Sequence, residues 1–327
     1  MTRSNRNGDG SFRNPWPDEG PGGAGGVLRW WVERTFGSVP ADPDPSVFRR
    51  VEPSFRAPRA PDHVLTVTWI GHAATLLQVG GRNLLTDPMF GERASPFAFV
   101  GPRRWVAPGV ALEALPPIDA VLLSHNHYDH LDLGSARSLA GRFPDAPWVV
   151  PVGLGATVRG AGVRVAHELD WWEVAELGEM TVTATPARHF SARGLRDRNR
   201  SLWCGLAVAA GGRRVLFGGD TGYHADFTRI GHRLGPFDLI LLPIGAYEPR
   251  WFMRPVHMNP EEAVRAFVDL GGGRGGIMGA IHWGTFKLTD EPMDEPPRRA
   301  VAAWEAAGLP PERLWIPLHG ETREVGL

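Results

Sequence analysis

Ser124-His125-Asn126-His127-Tyr128-Asp129-His130 places four metal-ligand side chains within six positions. The residues leading into it, Asp119 to Ser124, form an apolar run that reads as a buried strand. Imidazole and carboxylate are favoured donors for zinc and related cations. A loop leaving a strand end can turn His125 and His127 to one metal, and Asp129 and His130 to a neighbouring one. Four such groups crowded together without a cation would have little physical rationale.

One loop cannot close two sites, so donors must come from elsewhere in the chain. Three candidates stand where apolar runs stop. His189 follows Thr181 to Pro186, Asp220 follows Val215 to Gly219, and His282 follows Ile277 to Ile281. Loops at strand ends are where chemistry is usually carried. Any one of these residues alone is as well explained by capping or solvation; their joint order is the signal.

The rest of the 327-residue chain bounds the answer. Hydrophobic residues make up 43%, enough for one large α/β domain. No stretch of eighteen apolar residues is present, so no membrane-spanning helix is expected. Met1 to Gly10 is polar and has no apolar signal core. The net charge of −1 gives no electrostatic case for nucleic acid. A single cysteine, Cys204, excludes an internal disulfide and fits a cytoplasmic location. It lies in the apolar run Leu202 to Ala209 and reads as a small buried hydrophobe.

Residues 1–62 read as an irregular N-terminal extension, rich in Gly, Pro, Asn and Arg, with one short aromatic helix at Val27 to Phe36. Residues 63–327 read as the regular domain. Strands are expected at Val64–Trp69, Thr75–Val79, Asn83–Thr86, Asp119–Ser124, Trp148–Pro151, Thr181–Thr185, Leu202–Ala209, Arg214–Phe217 and Leu239–Pro243. Helices are expected at Leu133–Arg142, Ala225–Arg233, Pro260–Leu270 and Pro297–Ala307. Asn259 is a natural N-cap with Pro260 in first helical position. Two packed sheets with helices outside would use this order.

The series His125-x-His127-x-Asp129-His130, His189, Asp220, His282 resembles the metal-binding pattern of the metallo-β-lactamase superfamily. The resemblance implies an α/β fold: an αβ/βα sandwich of two mixed sheets flanked by helices, with metals at one edge. It implies that His125, His127 and His189 hold one zinc, that Asp129, His130 and His282 hold a second, and that Asp220 bridges both. Two Zn²⁺ are the expected cofactors, with iron or manganese as substitutes. The pattern does not fix a substrate.

Further segments resemble a narrower family, the N-acyl-phosphatidylethanolamine-hydrolysing phospholipases D. They include Asn14-Pro15-Trp16-Pro17, Trp69-Ile70-Gly71-His72-Ala73, Thr86-Asp87-Pro88, Gly219-Asp220-Thr221-Gly222-Tyr223, Pro243 to Met253 and Ala280 to Phe286. That resemblance implies a binuclear phosphodiesterase acting on a phospholipid. Asp129 and Asp220 would be catalytic through the metals, and His257 would touch the phosphate or protonate the leaving group. Asp87 and His72 are candidates for supporting the ligands. Leu133 and Val256 depart from the family, whose vertebrate members have Tyr and Gln there. A lactonase or cyclic phosphodiesterase is the alternative on the same fold. A non-catalytic binding protein would not need seven donors. Trp30, Trp31, Phe36, Arg250, Trp251, Phe252 and Arg254 could make peripheral membrane contact or cover the domain. Oligomeric state is not legible.

Overall fold

The central strands of this chain are buried almost without break, because both faces of each sheet are covered there. The computed structural model describes residues 5–17, 24–37, 39–97, 99–194 and 196–326. Helix α1 (Ala24–Phe36) precedes the first run of strands, β1 (Leu65–Gly71), β2 (Ala74–Val79) and β3 (Arg82–Thr86). Next come β4 (Ala120–Leu122), α2 (Leu133–Arg142), β5 (Trp148–Pro151), α3 (Gly155–Gly160) and β6 (Ala166–Leu169). A second run follows: β7 (Val174–Leu177), β8 (Met180–Thr185), β9 (Gly205–Ala210) and β10 (Arg213–Phe217). The chain ends with α4 (Asp226–Leu234), β11 (Leu239–Pro243), α5 (Arg250–Met253), α6 (Pro260–Asp269), β12 (Ile277–Ile281), α7 (Glu295–Ala306), β13 (Leu314–Trp315) and β14 (Thr322–Val325).

These strands make two seven-stranded sheets, ordered β14-β1-β2-β3-β4-β5-β6 and β13-β12-β11-β10-β9-β8-β7. Each sheet has an antiparallel half followed by a parallel half. In the first, β14 to β3 are antiparallel and β3 to β6 parallel. In the second, β7 to β10 are antiparallel and β10 to β13 parallel. The expected sandwich of two mixed sheets flanked by helices is therefore the observed fold.

Period-two alternation sets which side chains meet. Leu65, Val67 and Trp69 of β1 share the inter-sheet core with Val215 and Phe217 of β10 and Leu239 and Leu241 of β11. Their in-between neighbours point outward. Ile70, Leu85 and Val121 pack with Leu139 of α2 and Val158 of α3. Leu216 and Ile240 pack with Phe267 of α6 and Trp304 of α7. Asp132 caps α2, accepting from the backbone N–H groups of Gly134 and Ser135. Asn259 and Glu262 form a reciprocal capping box on α6.

Some boundaries differ from expectation. The Leu202–Ala209 run does not pair until Gly205; before it, Cys204 N–H donates to Ser124 O at 3.0 Å, tying this stretch to the candidate metal loop. Of Asp119–Ser124 only Ala120–Leu122 is regular strand; Leu123 N–H still donates to Val149 O at 2.9 Å before the chain leaves toward that loop. The short edge strands β6, β7, β13 and β14 were not expected. No helix among the described residues is long and apolar enough to cross a membrane.

Candidate metal centre

The candidate donors collect at one edge of both sheets. His125 to His130 follow β4, His189 follows β8, Asp220 follows β10 and His282 follows β12. Asp220 can approach because Gly219 takes φ 59°. A Cβ on Gly219 would stand 2.6 Å from Ser124 Cβ and 3.0 Å from Cys204 O. Non-glycine residues in the left-handed region also concentrate here: His72 at φ 55°, Asp87 at 30°, Ala246 at 62° and His282 at 65°. Such conformations cost on the order of 1–3 kcal/mol each and persist where the surroundings enforce them.

Two groups of donors form. In the first, His127 Nδ1 lies 2.9 Å from His125 Nε2 and 3.2 Å from His189 Nε2. In the second, His282 Nε2 lies 3.2 Å from His130 Nε2, and Asp129 Oδ2 lies 3.3 and 3.4 Å from those two nitrogens. Asp220 stands between the groups. Its Oδ2 is 3.1 Å from both His130 and His282 Nε2, 3.7 Å from His189 Nε2 and 3.9 Å from His125 Nε2. All seven sequence candidates are thus brought together. His257 joins them, with Nδ1 4.0 Å from Asp220 Oδ2.

The far side of several rings is tied down, which fixes the nitrogen left facing inward. His189 Nδ1 donates to Val256 O at 2.9 Å. His130 Nδ1 donates to Asp87 Oδ2 at 2.6 Å, as the sequence suggested for Asp87. Ser124 Oγ gives its proton to Asp87 at 2.5 Å and so accepts from His125 Nδ1 at 2.9 Å. Nε2 of His125, His130 and His189 is therefore the nitrogen that faces the donor cluster. Asp220 Oδ1 is buried with no hydrogen-bond partner. An orphaned buried carboxylate oxygen amid converging imidazole lone pairs fits a divalent cation, whose bonds to such donors are about 2.0–2.2 Å long.

Charge divides the two groups. Burial drives the first toward neutral imidazole: His125 falls well below its ordinary value, His127 to about 3 and His189 to about 4. Burial acts equally on the second, but carboxylates outweigh it. Asp220, Asp129 and Asp87 hold His130 well above its ordinary value, and Asp220 and Asp129 raise His282 to about 9. Burial alone would raise Asp129 and Asp220; the facing His130 charge instead leads both to lie well below the carboxylate range.

Sequence reasoning missed two supports. Arg193 Nη1 donates at 2.7 Å to both Asn126 O and Leu131 O, clamping the donor loop from each end. Its guanidinium also covers Tyr128, 4.0 Å from the ring centroid. The N-terminal segment is the other. Asn14 Nδ2 donates to His189 O at 2.9 Å, Trp16 stacks on His224 at 4.3 Å, and Phe12 is buried with Ala187, Leu202 and Trp203. The sequence signal was the Asn14-Pro15-Trp16-Pro17 motif, which carried no geometry.

Residues 82–283 match the family model described as a beta-lactamase superfamily domain. An uncharacterised Mycobacterium tuberculosis protein is 48% identical over 262 residues, 79% of this chain and 68% of that one. The Caenorhabditis elegans N-acyl-phosphatidylethanolamine-hydrolyzing phospholipase D 1 is 42% identical over 234 residues, 68% of this chain and 65% of that one. A solved metallo hydrolase from Ignicoccus hospitalis superposes with a TM-score of 0.59 at 22% identity, covering 81% of this chain and 99% of that one. The class defined by this fold and site is the metal-dependent hydrolases. Within it, the chain belongs to the metallo-β-lactamase superfamily, whose fold implies divalent metal ions.

Proposed function

We propose that the chain is a binuclear zinc phosphodiesterase of the phospholipase D type. It hydrolyses N-acyl-phosphatidylethanolamine to an N-acylethanolamine and phosphatidic acid. The observation that carries this reading is Asp220, whose Oδ2 stands within 3.1–3.9 Å of donors from both groups. The 42% identity to the worm phospholipase supports the choice of substrate. His125, His127 and His189 would hold one metal, Asp129, His130 and His282 the other, with Asp220 shared. When bound, such a pair supplies Lewis acidity, acidifying water and neutralising charge that builds on phosphoryl oxygens.

The chain's own residues do the rest. Asp220 fixes the separation of the two donor groups, and Asp129 orients the second. His257 is buried and has no hydrogen-bond partner at Nδ1. Burial holds its ring well below its ordinary value, so it is neutral near pH 7. A neutral ring can give its single N–H to a phosphate or leaving-group oxygen.

A lipid interface suits the surface around α1. Trp30 is not part of it: Nε1 donates to Asp290 at 2.6 Å and the ring stacks on Phe252. Leu28, Trp31 and Phe36 are 61%, 60% and 82% exposed. An apolar helix face beside Arg29 and Arg34 can lie in a headgroup layer.

The test is incubation with N-acyl-phosphatidylethanolamine and with phosphatidylcholine in detergent, products identified by mass. N-acylethanolamine and phosphatidic acid from the first lipid support the reading. Free fatty acid would show ester cleavage and overturn the reaction type. No product from either lipid, with rapid opening of a lactone, would favour a lactonase.

A further inference from the structure

His72 belongs to neither donor group, yet it reaches into one of them. Its ring is 1% exposed, and Nε2 lies 2.8 Å from Asp129 Oδ2. It packs 3.9 Å from the His282 ring, 5.2 Å from His130 and edge-on to Phe286 at 5.3 Å. An ionised carboxylate only accepts hydrogen bonds, so Nε2 must carry the proton. That proton occupies the lone pair with which Nε2 would bind a cation. Nδ1, the other nitrogen, is buried without a partner.

The backbone places this ring with unusual force. His72 holds φ 55° without being glycine. Its N–H donates to Thr285 Oγ1 at 2.8 Å, and Thr285 Oγ1 meets His319 Nε2 at 3.0 Å. Its carbonyl accepts from Trp69 Nε1 at 2.8 Å and from the backbone N–H of His282 at 2.9 Å. The same residue therefore grips Asp129 through its side chain and His282 through its main chain. Those two come from different sheets.

We infer that His72 is a positioning residue for the second metal: it aims the Asp129 carboxylate by donating from Nε2 and does not itself bind the ion. The inference rests on the two-metal reading above. Partners that orient metal ligands typically matter by roughly 10- to 100-fold in metal affinity.

The test compares His72→Asn with His72→Gln. Asn tolerates the left-handed backbone best among ordinary residues, but its amide is too short to reach Asp129. The Gln amide extends to where Nε2 stands and restores a donor. Zinc content is followed as a competing chelator is raised, with cobalt-substituted spectra reporting each site and thermal melts reporting folding. The inference predicts that His72→Asn weakens only the second metal, by roughly 10- to 100-fold. It also predicts that His72→Gln returns to within a few fold of wild type. Wild-type affinity for both metals in His72→Asn would overturn it. So would equal loss in both variants, since a direct ligand or a packing role would not be rescued by an amide. If wild type itself binds one metal or none, the two-metal reading falls first and this inference with it. If His72→Asn does not fold, His72→Gln still decides: second-site loss there overturns the inference, and two metals retained supports it.

Discussion

The two donor groups share Asp220 but differ in one donor, three imidazoles in the first and Asp129 with two imidazoles in the second, and without metal they sit in opposite electrostatic states. His125, His127 and His189 are imidazoles that burial keeps neutral. His130 and His282 face Asp129 and Asp220 at 3.1–3.4 Å, and in the metal-free chain these carboxylates raise both imidazoles above their ordinary value. The first group offers lone pairs ready for a cation. The second must give up protons before it can bind one. Each group also joins the loop after β4 to a loop of the other sheet, so a metal in either place ties the two halves of the molecule together.

The largest effect should come from the residue common to both groups. Asp220→Asn is expected to lower kcat on the order of 10²- to 10³-fold, the scale for disturbing one element of preorganised transition-state stabilisation, because Asp220 spaces the cations that supply it. Circular dichroism should show the fold intact. Unchanged turnover with both metals retained would remove Asp220 from the account.

His125→Ala and His282→Ala should separate the groups. Each is expected to lose one metal equivalent, and the survivor should differ between them in a cobalt spectrum. Identical spectra would mean the division into two groups is wrong.

The charge contrast predicts opposite behaviour with pH. In chelator-stripped protein, His282 is raised from 6.5 to about 9. Its pairing therefore contributes fully below about pH 6.5 and is lost as pH rises through about 9. The melting temperature of stripped protein should fall over that window, while zinc affinity at the second site rises. The first site should change little. Equal pH dependence at both sites would break the comparison.

The smallest effect is expected from the N-terminal segment. Asn14→Ala removes one donor to His189 O, costing about 1 kcal/mol of stability. Zinc affinity should weaken at the first site only. An effect confined to the second would contradict the observed contact.

Legibility in the sequence follows the same division. The loop after β4 was readable because its donors are contiguous and an apolar run precedes them. His189, Asp220 and His282 carry no local signal beyond standing where such runs end; only their order matched a pattern. α2 and α6 were placed well; Asn259 was readable as a cap, whereas the Asp132 cap of α2 emerged only in the structure. The edge strands were not, since two to four residues give too little alternation to read. Asn14 was invisible as a support because its partner lies 175 positions away. A Gly-, Pro- and Arg-rich stretch reads as irregular whatever it touches. Arg193 was hidden among several arginines of one loop.

The central claim is that the two groups together hold two cations. Elemental analysis of protein purified under metal-replete conditions tests it most directly. The account predicts close to two equivalents per chain, with zinc the expected element and iron or manganese revising only its identity. A reproducible value near zero would contradict it.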